Sequence, residues 1–244
     1  IHKKSRSKIF ACNNLFDFSK RRITPSLIIL AIKPQQINFF HKSLNLDDFF
    51  WIQKKPILSI VAGLSIKTLM QITKNTNVIR AMPNTPSLVK KGITGYFCSK
   101  EINDIVQTRV VKVLSKIGTV KKIPKEEMLD SVTAISGSGP GYIIKFISAI
   151  EKAAKSTDLP PNLVKEFIFN TLVGSVELWS QSKQSSEEII NKVASKGGTT
   201  EQALIHLEKG KFEKIIVEAI LKARHKSKIL SLEIDRQIKE HSEK

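Results

Sequence analysis

Two short turns rich in glycine and hydroxyl groups stand out by residue type. One is Ala194-Ser195-Lys196-Gly197-Gly198-Thr199-Thr200-Glu201 and the other is Ser136-Gly137-Ser138-Gly139-Pro140-Gly141-Tyr142. Each feeds into a long run with helical spacing of apolar residues. A turn of this kind offers backbone N–H groups, hydroxyls and the positive end of a helix dipole to a small anion. The first turn is also what an ordinary helix N-cap looks like, since threonine caps well. The second is also compatible with a packing turn between helices. It superficially echoes a dinucleotide fingerprint, but a helical pattern precedes it and no strand leads in.

Several strand patterns lie upstream. The run 27–32 is continuously apolar and ends at Lys33-Pro34, which reads as a buried parallel strand. The pattern predicts a helix over 45–53, a strand over 56–63 stopped by Gly63, and a helix capped by Ser65 through Ile72. Residues 77–83 and 92–99 read as further strands, with Gly95 as a bulge. Ile102, Ile105, Val106, Val110, Val113 and Leu114 carry helical spacing over 101–117. This alternation predicts a parallel α/β sheet. Ligands of such sheets sit beyond the carboxyl ends of the strands. After residue 124 the character changes. Stretches 126–135, 142–155, 161–181, 187–193, 200–209 and 211–238 are all helical in spacing, and 239–244 is expected to fray. The expected domains are therefore 1–124 and 125–244. Pro161 suits a first helical position.

Composition narrows the class. The chain of 244 residues is 41% hydrophobic and 25% charged, within the globular range. Its net charge is +18, yet only seven of 40 basic residues are Arg. The lysines are spread along the chain, so a specific nucleic-acid surface is not expected. No run reaches the length of a membrane span. Cys12 and Cys98 lack metal-ligand spacing, and a reducing cytoplasm is the natural setting. The five histidines show no metal spacing, so no metal site is expected. His2-Lys3-Lys4 is basic, but no apolar segment of signal-peptide length follows. The chain begins with Ile, which reads as a processed, truncated or unusual start. Trp51 and Trp179 are expected in the core. Arg80 is expected to be a structural ion-pair partner, and Asp130 is left without a role.

Four motifs occur in order: Leu30-Ala31-Ile32-Lys33-Pro34-Gln35, Arg80-Ala81-Met82-Pro83-Asn84-Thr85-Pro86, 129–142 with its Ser136-Gly137-Ser138-Gly139-Pro140 core, and Ser195-Lys196-Gly197-Gly198-Thr199-Thr200. Together, over about residues 25–232, they resemble the pyrroline-5-carboxylate reductase family. The resemblance implies a Rossmann-like α/β domain followed by an all-α dimerisation domain. It implies a homodimer, or a ring of dimers. The implied reaction is hydride transfer from NADPH or NADH to 1-pyrroline-5-carboxylate, giving L-proline. By the same resemblance, Ser195, Gly197, Gly198, Thr199, Thr200, Gly137 and Ser138 hold the substrate, and the Thr200 hydroxyl faces its ring nitrogen as the catalytic group. Ala31, Ile32, Lys33 and Pro34, then Val61, Ala62 and Gly63, then Met82, Pro83 and Asn84, line the cofactor. Pro83-Asn84-Thr85-Pro86 is also an ordinary turn sequence.

The chain departs from the family pattern in three places. Gly141 stands where relatives usually have Ala, and Lys196 where many have Pro. No glycine precedes Gly63, so the N-terminal strand, glycine-rich loop and helix that seat a pyrophosphate are expected to be missing. Residues 1–5 can be aligned with the end of the second strand, placing Lys3, Lys4 or Ser5 near an adenosine 2′-phosphate. Residues 8–12 can instead be aligned with the third strand. Either alignment leaves out a βα unit of roughly 30 residues or more. Two readings therefore stand: an active reductase, or a degenerate relative that folds and dimerises without catalysis.

Overall fold

The computed structural model describes residues 25–44, 52–53 and 55–242. They form two compact units, one comprising the described residues from 25 to 137 together with 224–242, the other 138–223. The first unit extends past residue 124 to Gly137, and the last helix returns to it from Arg224.

The first unit is built on five strands in the order β1-β2-β3-β4-β5. They are β1 (Ile28–Leu30), β2 (Ile57–Ser59), β3 (Val78–Met82), β4 (Gly92–Cys98) and β5 (Gly118–Lys122). Strands β1, β2 and β3 run parallel, connected through α1 (Ile37–Ser43) and α2 (Ile66–Thr73). The sheet is not wholly parallel as expected: β4 is antiparallel to β3. Only residues 83–91 join them, too few for a crossover, so the chain has to turn back. Helix α3 (Asp104–Leu114) then supplies the crossover that makes β5 parallel to β4. Gly95 is no bulge. It pairs in register with Met82 on one side and Lys121 on the other, and a Cβ there would lie 3.0 Å from Val132.

Both faces of the sheet are covered, which explains the unbroken apolar runs. Successive residues point to opposite faces. Ile57 and Val78 join a cluster with Ile37, Leu64, Leu69, Ile72, Ile234 and Ile238, while Leu58 and Ile79 join Ala81, Tyr96, Val110 and Leu114. β1 is less buried than its sequence suggests, with Leu30 buried but Ile29 exposed. Helix α1 was not anticipated. The expected helix over 45–53 lies almost wholly outside the described residues, as do Trp51 and Cys12.

Helix α4 (Met128–Val132) runs into a wide helical turn, Thr133–Gly137, at the end of the first unit. The second unit contains α5 (Gly139–Ala154), α6 (Pro161–Gln181), α7 (Ser186–Val193), α8 (Thr199–Lys209) and the start of α9 (Phe212–Ser242). Helix α6 starts with Pro161 at its first turn, and Ser185 and Glu188 form a capping box on α7. No residue of α5 to α8 is buried. Trp179 is 59% exposed, against the expectation of a core position, and Phe169, Val176, Ile144 and Phe167 are exposed with it. The apolar periodicity is real, but nothing among the described residues buries these faces. A cavity of about 570 Å³ between α5 and α6 is lined by Phe146, Ile150, Phe167, Ile168 and Leu172. Helix α9 remains helical to Ser242, past the expected fraying point. Among the described residues no helix is long and apolar enough to cross a membrane.

Candidate functional site

In the first unit, the parallel register aligns Leu30 with Ser59 and Ser59 with Arg80. β1 and β2 therefore end level and β3 runs two residues further, to Met82, and the residues singled out in the sequence follow the three strands along one edge. Ala31, Ile32 and Lys33 leave β1, and Pro34 opens a short 3-10 turn in which Lys33 N–H donates to Gln36 Oε1 at 3.0 Å. After β2, Ile60 N–H donates to Leu30 O at 3.0 Å and Val61 N–H to the buried Ser59 Oγ at 3.2 Å. A turn follows, closed by Leu64 N–H donating to Val61 O at 3.4 Å. Gly63 takes φ +78°, a left-handed conformation that side chains resist. The N–H groups of Ala62 and Gly63 have no acceptor among the described residues. After β3, Asn84 Oδ1 accepts from Ile93 N–H at 2.9 Å, which ties Met82, Pro83 and Asn84 back to β4.

Gly137 meets this edge. A methyl group added there would come within 2.9 Å of Met82 Cε. The close approach of the third motif to the second thus requires a bare backbone.

The second unit contains the other group. Ser138 is the cap position of α5, and its C=O accepts from Gly141 N–H at 2.9 Å. The turn 195–198 opens α8. Gly197 adopts φ +77°, and a Cβ on Gly198 would lie 2.7 Å from Ser195 Oγ and 2.9 Å from Ser195 O. Neither glycine is replaceable without strain. Two amides of the turn are already satisfied: Gly198 N–H donates to Ser195 O at 2.9 Å and Gly197 N–H to Glu201 Oε2 at 2.7 Å. What remains open is the first helical turn, where the N–H groups of Thr199 and Thr200 have no acceptor among the described residues. They stand at the positive end of an eleven-residue helix, flanked by the hydroxyls of Ser195, Thr199 and Thr200. The arrangement can hold a small carboxylate and place a hydroxyl beside it.

Sequence reasoning missed the polar residues that brace the first edge. Glu126 Oε1 accepts from Arg80 Nη1 at 3.0 Å and from Ile66 N–H at 2.8 Å. Asp235 Oδ1 accepts from Ser65 Oγ at 3.3 Å and from Thr68 Oγ1. Asp130 Oδ1 accepts from Ser227 Oγ at 2.7 Å. The Arg80 ion pair matches the sequence expectation; its partner carried no signal, being 46 residues away. On β4, burial pushes the Cys98 thiol up from its ordinary value, with Lys122 partly offsetting this. Burial, and then Cys98, push the Tyr96 hydroxyl up as well. Among the described residues no three His, Cys, Asp or Glu side chains converge as a metal site. Lys3, Lys4, Ser5 and the strand alternatives over 1–12 lie outside the described residues.

The chain as a whole is similar to known proteins. The profile for pyrroline-5-carboxylate reductase dimerisation matches residues 126–230. Pyrroline-5-carboxylate reductase 2 of Bacillus subtilis (strain 168) is 36% identical over 197 residues, covering 80% of this chain and 68% of the relative. The pyrroline-5-carboxylate reductase of Synechocystis is 31% identical over 204 residues, covering 84% and 74%. Among solved structures, Plasmodium falciparum pyrroline carboxylate reductase with NADP bound is similar at TM-score 0.78 and 30% identity, covering 84% of this chain and 77% of that one. The Streptococcus pyogenes 1-pyrroline-5-carboxylate reductase is similar at TM-score 0.76 and 30% identity, covering 83% and 76%.

Proposed function

We propose that this chain, which belongs to the pyrroline-5-carboxylate reductase family, reduces 1-pyrroline-5-carboxylate to L-proline with NADPH or NADH. One observation carries the reading. The turn 195–198 delivers open N–H groups and three hydroxyls to the head of α8, in a sequence that matches the family motif.

The chemistry asks little covalent work of the protein. The N–H groups of Thr199 and Thr200 and the Ser195 hydroxyl hold the substrate carboxylate, in a field already positive from the helix dipole. This fixes the ring, so that its nitrogen falls to the Thr200 hydroxyl. As the imine carbon of the N-protonated ring is reduced, the π pair of the C=N bond moves onto nitrogen, and Thr200 stabilises that atom by hydrogen bonding. When bound, the reduced nicotinamide supplies the hydride that the imine carbon accepts. The strand edge suits that group. Ala62 and Gly63 offer two N–H donors without an acceptor among the described residues, and Pro83 and Met82 offer an apolar flank. Gly137 and Ser138 complete the expected substrate contacts.

The reading extends to a homodimer or a larger ring of dimers in the cytoplasm, acting on a small molecule and not on nucleic acid or membrane. The dimerisation profile and the uncovered apolar faces of α5 and α6 support self-association.

The test is loss of NAD(P)H absorbance when the imine is added to the purified full chain. Turnover is expected, and Thr200→Val should lower kcat about a hundredfold with an unchanged circular dichroism spectrum. No turnover by a folded dimer would make the chain a non-catalytic member of its family. Near-normal turnover by Thr200→Val would remove the role given to that hydroxyl.

A further inference from the structure

The turn 61–64 is weakly held by its own backbone. Its one internal hydrogen bond is long, at 3.4 Å. Its position is set from outside, by residues far away in sequence and outside all four motifs.

Three contacts converge on it. Leu230 and Ile234 of α9 press on the Gly63 Cα, where a Cβ would lie 3.2 Å from Leu230 and 3.3 Å from Ile234. Asp235, the next residue of α9, accepts hydrogen bonds from Ser65 and Thr68 across 170 and 167 positions of chain. Ser65 is the N-cap of α2 and itself accepts from Thr68 N–H at 3.1 Å. Asp235 therefore grips the cap and puts a negative charge at the helix N-terminus. Glu126 accepts the Ile66 N–H in the same first turn and also holds Arg80, two residues before Met82. The two carboxylates thus fix the 61–64 turn both to α9 and to the end of β3.

We propose that Asp235 is a positioning residue for the cofactor, acting through Ser65 and Thr68 to hold the Ala62 and Gly63 amides in place, with Glu126 bracing the same turn. This rests on the reading that 61–63 faces NAD(P)H. Asp235 touches neither substrate nor cofactor. Its removal should therefore alter cofactor affinity and leave imine recognition, which belongs to the 195–200 turn, unchanged.

The experiment uses the full chain with Asp235→Ala, Asp235→Asn and Ser65→Ala. Kd for NADPH and NADH is measured by fluorescence, KM for cofactor and imine by turnover, and amide hydrogen exchange over 62–66 by mass spectrometry. Asp235→Ala should raise cofactor Kd and KM about tenfold, on the order of losing a charge-assisted hydrogen bond, while imine KM stays within about twofold. Asp235→Asn keeps an acceptor and should recover most of the loss. Exchange over 62–66 should quicken in Asp235→Ala. An unchanged cofactor Kd, or a parallel rise of both KM values, would overturn the proposal. Should Asp235→Ala fail to fold, Ser65→Ala and Asp235→Asn decide it by the same split. If the wild-type chain binds neither NADPH nor NADH, the reductase reading fails. The exchange comparison then still judges whether Asp235 holds the turn: unaltered exchange refutes it.

Discussion

Gly63→Ala is the sharpest probe of how the turn after β2 is built. Gly63 sits at φ +78°, and an alanine there would take a left-handed backbone at a cost of about 1–2 kcal/mol. Its methyl would also press on Leu230 and Ile234 at 3.2–3.3 Å, forcing small shifts worth about 1–2 kcal/mol more. The sum is about 2–4 kcal/mol. For a chain of this size each kcal/mol moves Tm by roughly 2–4 °C, so a fall of about 4–16 °C is expected. Gly141→Ala is the control. Nothing lies within 4 Å of a Cβ there, and the residue is helical. That substitution should hold or raise Tm by up to about 1 kcal/mol worth, since alanine favours helix over glycine. Calorimetric melts of both variants beside the wild type check the pair. A Gly63→Ala Tm equal to wild type, or a Gly141→Ala loss as large as that of Gly63→Ala, would refute the strain and crowding assigned to the turn.

Glu201→Gln keeps an acceptor for the Gly197 N–H and removes a negative charge beside the open amides; imine KM should fall about two- to threefold with kcat unchanged, and a raised KM would show that the charge itself shapes the turn. Phe169→Glu places a charge on the exposed face of α6 shared with Val176, and sedimentation should shift from dimer towards monomer; a variant that stays fully dimeric places the interface elsewhere. The Cys98 pKa is raised by burial, so its neutral form is favoured in the fold. The stability this gives is fully present below the unfolded thiol pKa and is lost as pH rises through the folded value. In a Cys12→Ser background, modification by a disulfide reagent should therefore begin at higher pH than for an unstructured thiol peptide, and Lys122→Ala should delay it further. Reaction at the peptide's pH would contradict the burial effect.

The chain's local chemistry was enough to place β1, β2, β3 and the long helices, because apolar periodicity and caps such as Ser65 and Pro161 act over one or two turns. The ordered motifs marked Gly137 and Gly197, and the strand stop and the family resemblance marked Gly63; at each the structure supplies a concrete need, either a positive φ or a side chain within 3 Å. Other features had no local signal. β5 carries Lys121 and Lys122 on an edge and lacks the apolar run of a central strand. The reversal of β4 follows from the length of a loop, not from the composition of the strand. Trp179 shows that periodicity reports an apolar face but not what covers it.

What the sequence by itself determined is the identity of the chemical groups and their immediate settings: the hydroxyl and glycine turn at the head of α8, and the strand ends followed by residues 31–34, 61–63 and 82–84. What only the tertiary structure decided is how those settings are held. Asp235 reaches Ser65 across 170 positions and Glu126 reaches Ile66 across 60. Such pairings depend on where helices come to rest after the apolar faces are buried. No spacing rule along the chain encodes them.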